Sequence, residues 1–184
     1  MLKLARLVLL GSFSPLLAAG HPPVSRVDVD TSALEFLGFR AGAPVSELDA
    51  RVRQVGGHSL RCRTSRVDSR VMECRGSLRE PGSVVDVWVS AVDSAAAVIT
   101  LSGTMNQDQL EQWRDILQTR YGKVEARVQG SQRMLQWVRR GRMLRLTWRL
   151  ESSGKVASVS LVDGRVLDGW GRGRGSARRP RISP

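Results

Sequence analysis

The chain has 184 residues, with 29 Lys and Arg against 17 Asp and Glu, so its formal net charge is +12. That length suits one domain or two small ones, and an apolar fraction of 41% excludes a wholly disordered chain. Two Cys and two His are too few for a rich zinc site or a dense disulfide scaffold. The excess of positive charge is typical of proteins that bind nucleic acid, an anionic surface or an acidic partner.

Residues 1–20 have the layout of a secretory signal peptide. Lys3 and Arg6 precede an apolar stretch over residues 7–17, and small residues close the segment at a cleavage site after Gly20. A buried N-terminal helix is the alternative, whereas an internal proline and the short run disfavour a membrane anchor. We therefore expect an exported protein, periplasmic or extracellular, with no transmembrane segment after cleavage.

The two cysteines fit export. Cys62 and Cys74 flank a polar stretch, and a hairpin centred on Asp68 places them directly opposite each other. The same register pairs Arg63 with Glu73, a favourable cross-strand charge pair. In an oxidising compartment the pair is expected to form a disulfide, and two unpaired buried thiols are the alternative.

The first half of the folded region reads as one helix followed by four strands. Residues 21–34 are polar and contain proline, which predicts a flexible lead-in. Apolar residues then recur at helical spacing from Val45 to Val55, and Gly56 ends this helix. Strand-like runs follow at residues 59–63, 71–78, 84–92 and 95–101.

The second half repeats this order. Asn106 can cap a helix whose apolar face contains Leu110, Trp113, Leu117 and Tyr121, and Gly122 ends it. Strand-like runs follow at residues 124–128, 133–139, 142–150 and 156–162.

A two-residue turn at Arg140-Gly141 predicts a hairpin in the second half. Its register pairs Trp137 with Leu144, and it pairs Leu135 with Leu146. All four apolar side chains then share one face of the sheet.

These elements predict an α+β domain over residues 35–166. Its antiparallel sheet would be covered on one face by two helices, because the apolar sheet face needs a cover. Two tandem units of a helix and four strands, residues 45–101 and 105–162, are candidate repeats. A single α+β domain without a repeat is the alternative.

The run Gly-Phe-Arg-Ala-Gly-Ala-Pro-Val-Ser-Glu-Leu at residues 38–48, continuing to Gly56, resembles the start of small exported helix-plus-hairpin modules. These include the outer-membrane assembly lipoproteins called BamE or SmpA and the β-lactamase inhibitor proteins, which stack two such units. The resemblance implies a secreted scaffold that works by binding. The chain lacks the lipid-bearing Cys of the first family and has fewer Cys than the second, so no functional residue is carried over.

No combination of residues predicts catalysis, a metal site or a cofactor. Apart from His21, near the expected new N-terminus, the one histidine is His58, in a loop before a strand. Glu73 and Asp86 lie on strand-like runs, but nothing in the sequence brings them together. We expect a non-enzymatic protein, with an unrecognised hydrolase as the alternative.

Positive charge is concentrated in two places. Residues 167–184 are predicted to form a disordered basic tail, with candidate anion-binding residues Arg172, Arg174, Arg178, Arg179 and Arg181. The last hairpin carries the candidate partner-binding residues Arg140, Arg142, Arg145 and Arg149. We expect an exported binding or envelope-associated module with a protein partner. The alternative is a binder of nucleic acid or of an anionic envelope polymer that acts through the tail.

Overall fold

The computed structural model describes residues 33–152 and 154–174, with side chains up to residue 171. The elements in chain order are β1 (Glu35–Phe36), β2 (Phe39–Arg40), α1 (Val45–Gln54), β3 (Arg61–Thr64), β4 (Val71–Glu80), β5 (Ser83–Val92), β6 (Ala95–Met105), α2 (Gln107–Tyr121), β7 (Arg127–Gln129), β8 (Gln132–Arg139), β9 (Arg142–Glu151), β10 (Gly154–Asp163) and α3 (Gly164–Arg174). The predicted signal peptide at residues 1–20 and most of the predicted lead-in lie outside the described residues.

The protein is mostly β, and the predicted α+β class is wrong. In the part of the chain that the structure describes, an eight-stranded antiparallel sheet and a two-stranded hairpin account for 51% strand, against 24% helix in three short helices. The strands contain more residues than predicted, because they continue through polar residues beyond the ends of the apolar runs. The run predicted to end at Leu101 extends as β6 to Met105. The helices are short and cover a sheet that dominates the structure.

The sheet joins the two groups of four strands edge to edge, in the order β3-β4-β5-β6-β10-β9-β8-β7. Neighbouring strands within each group are consecutive in the chain. Among the described strands, the two groups are joined by the antiparallel pairing of β6 with β10, with Leu101 opposite Val159 and Ile99 opposite Leu161. One helix precedes each group. The proposal that the two groups are repeats stays a prediction.

Both predicted hairpin registers are confirmed. Cys62 lies opposite Cys74 and forms the disulfide, with Arg63 opposite Glu73. In the last hairpin, Trp137 lies opposite Leu144, and Leu135 lies opposite Leu146. Arg140 and Gly141 have φ angles of 46° and 76°, as a two-residue type I′ turn requires.

One apolar core lies between the helices and one face of the sheet. Leu48 and Val52 of α1 are buried in it, together with Leu110, Trp113 and Leu117 of α2. Alternate residues of the central strands contribute the sheet side of this core, because successive side chains of a strand point to opposite faces. Helices α1 and α2 therefore both lie on one face of the sheet and leave the second face free of their contact.

The cap of α2 is confirmed and is more complete than predicted. The Asn106 side chain accepts a hydrogen bond from the Gln109 amide at 2.9 Å. The Gln109 side chain in turn accepts one from the Asn106 amide at 3.0 Å, which completes a capping box. Gly122, with φ of 92°, ends the helix as expected.

The boundaries of the folded region differ from the prediction at both ends. Leu34, assigned to the lead-in, is 1% exposed and lies in the core. Residues 167–174, assigned to the disordered tail, form most of α3. Three glycines within residues 167–174 disfavour a helix, so the local residues do not predict α3. Residues 175–184 lie outside the described part.

Candidate binding face

The sheet face that points away from α1 and α2 is the candidate functional site, and we call it the open face. The strand registers place one row of its side chains across seven strands: Arg61, Arg75, Trp88, Thr100, Ser160, Arg145 and Gln136. Trp88 lies opposite Arg75 on one side and Thr100 on the other. A half-buried aromatic ring therefore lies between arginines at one side and hydroxyl groups in the middle of the sheet.

The middle of the open face is uncharged, and its hydroxyl groups are paired with one another. The Thr100 and Ser160 hydroxyls lie 3.3 Å apart, and those of Thr147 and Ser158 lie 2.8 Å apart. Each pair is close enough for a hydrogen bond across neighbouring strands. Because these hydroxyls have partners within the sheet, a surface that covered them would leave few polar groups unsatisfied.

Arginines give the open face a positive charge. The registers place seven arginines and three carboxylates on it, a net charge of +4: Arg61, Arg63, Arg75, Arg79, Arg127, Arg145 and Arg149 against Glu73, Asp86 and Glu151. Four of the seven lie on β3 and β4, and two lie on β9. An acidic surface complements this distribution.

The structure places two of the four predicted hairpin arginines on the open face. Arg145 donates two hydrogen bonds to the Gln136 side-chain oxygen, at 3.1 and 3.0 Å. Arg149 forms an ion pair with Glu151, and both side chains are more than a third exposed. Arg140 lies exposed at the turn. These three arginines remain candidates for contact with a partner.

Arg142 lies on the opposite face and is engaged by the protein itself. Its Nε donates to the Asp163 carboxylate at 2.8 Å, and the two side chains are 11% and 3% exposed. Burial disfavours the ionised carboxylate, but hydrogen bonds from Arg142 and Arg165 outweigh it and hold the pKa of Asp163 below its ordinary value. Arg142 thus stabilises the folded protein and does not lie on the surface that contains Arg145.

The arginines at the β3–β4 side of the open face were not among the predicted contacts. Arg61, Arg63, Glu73 and Arg75 line a depression of about 420 Å³, and Trp88 lines a neighbouring one. Two patterns in the sequence could have predicted that these residues share a face. The predicted cysteine register also places Arg61 opposite Arg75, and the alternation of β5 turns Trp88 away from the buried valines.

Helix α3 covers one end of the open face. Leu167 and Trp170 line a depression of about 240 Å³ together with Val71 and Val92. The Trp170 indole donates to the Asp68 carboxylate at 2.8 Å. Hydrogen bonds from Arg70 and then Trp170 lower the pKa of Asp68. Apolar contacts and this bond therefore stabilise a helix of low intrinsic propensity.

Glu73 and Asp86 both lie on the open face, but the fold does not bring the two carboxylates together. Glu73 lies opposite Ser90 and Asp86 lies opposite Ser77, so the two carboxylates are four residues, about 13 Å, apart along the strands. His58 is exposed in the loop before β3. Within residues 33–152 and 154–174, no group of acidic, His or Cys side chains could hold a metal ion. In the same part of the chain, no helix combines the length and apolarity needed to cross a membrane.

The side chains of the predicted tail arginines lie outside the part that the structure describes. The backbone of Arg172 and Arg174 lies in α3, while Arg178, Arg179 and Arg181 lie outside the described residues. Anion binding by the tail stays a prediction.

Comparisons of the chain with protein-family models, with curated proteins and with solved structures give no match. The resemblance to exported helix-plus-hairpin modules therefore rests on the sequence run itself. The class that the fold and the site define is a disulfide-bonded, mostly β protein with an open, positively charged sheet face.

Proposed function

We propose that the protein is an exported, non-enzymatic interaction module that binds an acidic surface of a protein partner through its open face. The observation that carries this proposal is the open face itself, which is eight strands wide and has a net charge of +4. A sheet that only closed a core would need no such concentration of arginine around a tryptophan. Tryptophan and arginine are the side chains most often found at the energetic centre of interfaces.

The size of the open face supports the proposal. The eight strands contain 66 residues, and each residue occupies about 3.4 Å along its strand and about 4.8 Å across the sheet. The resulting area is on the order of 1,100 Å². A stable protein interface buries about 800 Å² on each partner. The whole open face, one end of which α3 covers, is therefore comparable in size to one side of a specific complex.

The disulfide supports the exported location. Cys62 and Cys74 are joined, and disulfides persist in oxidising compartments such as the periplasm or the extracellular space. The predicted signal peptide at residues 1–20 agrees with this location. An envelope-associated partner is the corresponding expectation.

Charge reversal on the open face tests the proposal. The full chain with an affinity tag is used to capture partners from envelope extract, and the same capture is repeated with Arg75→Glu plus Arg145→Glu. We expect the amount of the captured partner to fall about tenfold, because both substitutions oppose an acidic surface. The matched control reverses Arg53 and Arg133, which lie exposed on α1 and on the other side of β8, and should change capture little.

A truncation after Arg174 separates this proposal from tail binding. It removes Arg178, Arg179 and Arg181 and keeps α3. Capture that survives the truncation but not the reversal of Arg75 and Arg145 supports the open face. Capture that survives the reversal and disappears on truncation would overturn it in favour of the anionic-polymer alternative.

A further inference from the structure

The outer edge of β8 is only half covered by its neighbouring strand. Strand β7 pairs with the beginning of β8, from Gln129 opposite Gln132 to Arg127 opposite Met134. Beyond Met134, in the part of the chain that the structure describes, β8 has β9 on its inner side and no strand on its outer side. At the opposite edge of the sheet, Gly57 and Leu60 pack against β4 beyond the end of β3.

The hydrogen-bond alternation of an antiparallel ladder fixes which groups face this edge. Arg139 and Arg142 close a two-residue turn, so this pair exchanges both of its backbone hydrogen bonds. Because hydrogen-bonded pairs alternate along the ladder, Trp137 and Leu135 also direct their backbone N–H and C=O groups toward β9. Gln136 and Val138 therefore direct their backbone N–H and C=O groups to the outer edge, in continuation of the bonds that Met134 makes to β7.

Two side chains keep the protein's own chain from completing this edge. The Trp137 indole donates to the Gly122 carbonyl at 2.8 Å, and Arg139 donates to the Tyr121 carbonyl at 3.0 Å. These bonds hold the end of α2 in place. The segment between α2 and β7 then leaves a depression of about 490 Å³ lined by Val124, Glu125, Ala126, Arg127, Gln136 and Val138.

We propose that an extended, acidic segment of a protein partner binds here as an added β-strand beside the second half of β8. Edge strands with unpaired backbone groups bind extended peptides in this way, and alternate side chains set the specificity. Val138 is 63% exposed and offers an apolar contact for one side chain of the segment. The proposal stands whether or not the open face binds a partner.

The charge around the edge favours an acidic segment. Lys123, Arg127, Arg139 and Arg140 are exposed there, and Glu125 is the acid among them. A second copy of this chain would bring the same positive charge to the edge, and like charges disfavour that pairing. An acidic strand is instead complementary to it.

A peptide of nine alternating Glu and Val residues serves as the probe, with a peptide of alternating Lys and Val as its control. Fluorescence anisotropy measures binding to the full chain. We expect the acidic peptide to bind at least tenfold more tightly than the basic one. Equal affinity for both peptides would overturn the assignment of an acidic segment.

Val138→Pro tests the backbone contact. It removes an N–H that points outward and leaves the ladder to β9 intact, since proline is tolerated at such edge positions. We expect at least a tenfold loss of affinity, while Val138→Thr keeps the backbone donor and should lose less than about threefold. Equal losses in the two variants would contradict strand addition.

Hydrogen exchange on the unmodified chain decides the question even if the proline variant does not fold. Addition of the acidic peptide should slow exchange of the Gln136 and Val138 amides by at least tenfold, and it should leave the Thr100 amide in the centre of the sheet unchanged. Binding without this protection would overturn the proposal. So would the same protection appearing without peptide at high protein concentration, because that result assigns the edge to self-association.

Discussion

The two ion pairs of β9 should differ sharply in their contribution to stability. Asp163 is 2% exposed and accepts hydrogen bonds from Arg142 Nε at 2.8 Å and from the Arg165 amide at 3.0 Å, where it caps α3. In Asp163→Ala the Arg142 guanidinium keeps its charge, in a position that is 11% exposed, but loses this carboxylate. The Arg149–Glu151 pair has side chains that are 46% and 36% exposed.

Removal of one partner of a buried ion pair costs about 3 to 5 kcal/mol, and loss of a helix cap costs about 1 kcal/mol. Because one carboxylate fills both roles in Asp163→Ala, we expect a total near 4 kcal/mol, which lowers the Tm by about 10 °C. Arg149→Ala removes an exposed pair and should cost about 0.5 kcal/mol or less. Arg142→Met added to Asp163→Ala should recover part of the loss, because the buried charge is then gone as well.

Urea denaturation of the three variants and the unmodified chain gives the free energies of unfolding. Equal effects of Asp163→Ala and Arg149→Ala would refute the structural role assigned to Arg142 and Asp163. A double variant that is less stable than Asp163→Ala would contradict the balance between burial and charge on which the magnitude rests.

Three further outcomes follow from the described contacts. Replacement of both Cys62 and Cys74 by Ala should lower the free energy of unfolding by up to about 3 kcal/mol, and the reduced unmodified chain should match this variant in urea; a variant as stable as the oxidised chain would contradict the expectation. The folded protein holds the pKa of Asp163 below its ordinary value of 3.8, so ionised Asp163 stabilises the fold at pH values above 3.8. This stabilisation is lost as the pH falls through the pKa of the folded state. The stability difference between the unmodified chain and Asp163→Asn should therefore shrink below about pH 4, and a constant difference down to about pH 2 would count against it. Asn106→Ala should cost about 1 kcal/mol whereas Asn106→Asp, which keeps the cap acceptor, should cost little; equal unfolding midpoints for the two would show that the capping box contributes nothing.

Local patterns in the sequence predicted the local structure well. The Arg140-Gly141 turn, the cysteine pair and the Asn106 cap each depend on residues within about a dozen positions, and each has the predicted geometry. Period-two alternation in β5 also separated the buried valines from Trp88. Turn chemistry and side-chain alternation are short-range effects, so they can be recognised in one sequence.

Long-range pairing and tertiary contacts could not be recognised in the same way. The pairing of β6 with β10 joins segments about sixty residues apart, and neither strand carries a turn signal for it. Helix α3 forms against its own glycine content because Leu167 and Trp170 contact the sheet and the loop before β4. Arg142 was grouped with Arg145 although strand alternation places it on the same side as Leu144 and Leu146, and only its ion pair with the buried Asp163 of β10 could not be recognised locally.

Site-specific photo-crosslinking on two sides of the molecule tests the central claim most directly. A photoreactive phenylalanine analogue is placed at Trp88 on the open face and, in a separate chain, at Gln112 on the exposed side of α2. Both chains are produced in the native envelope and irradiated there. An interaction module that binds through the open face predicts a discrete crosslinked partner from position 88 and none from position 112. A partner crosslinked only from position 112, or equally from both positions, would contradict it.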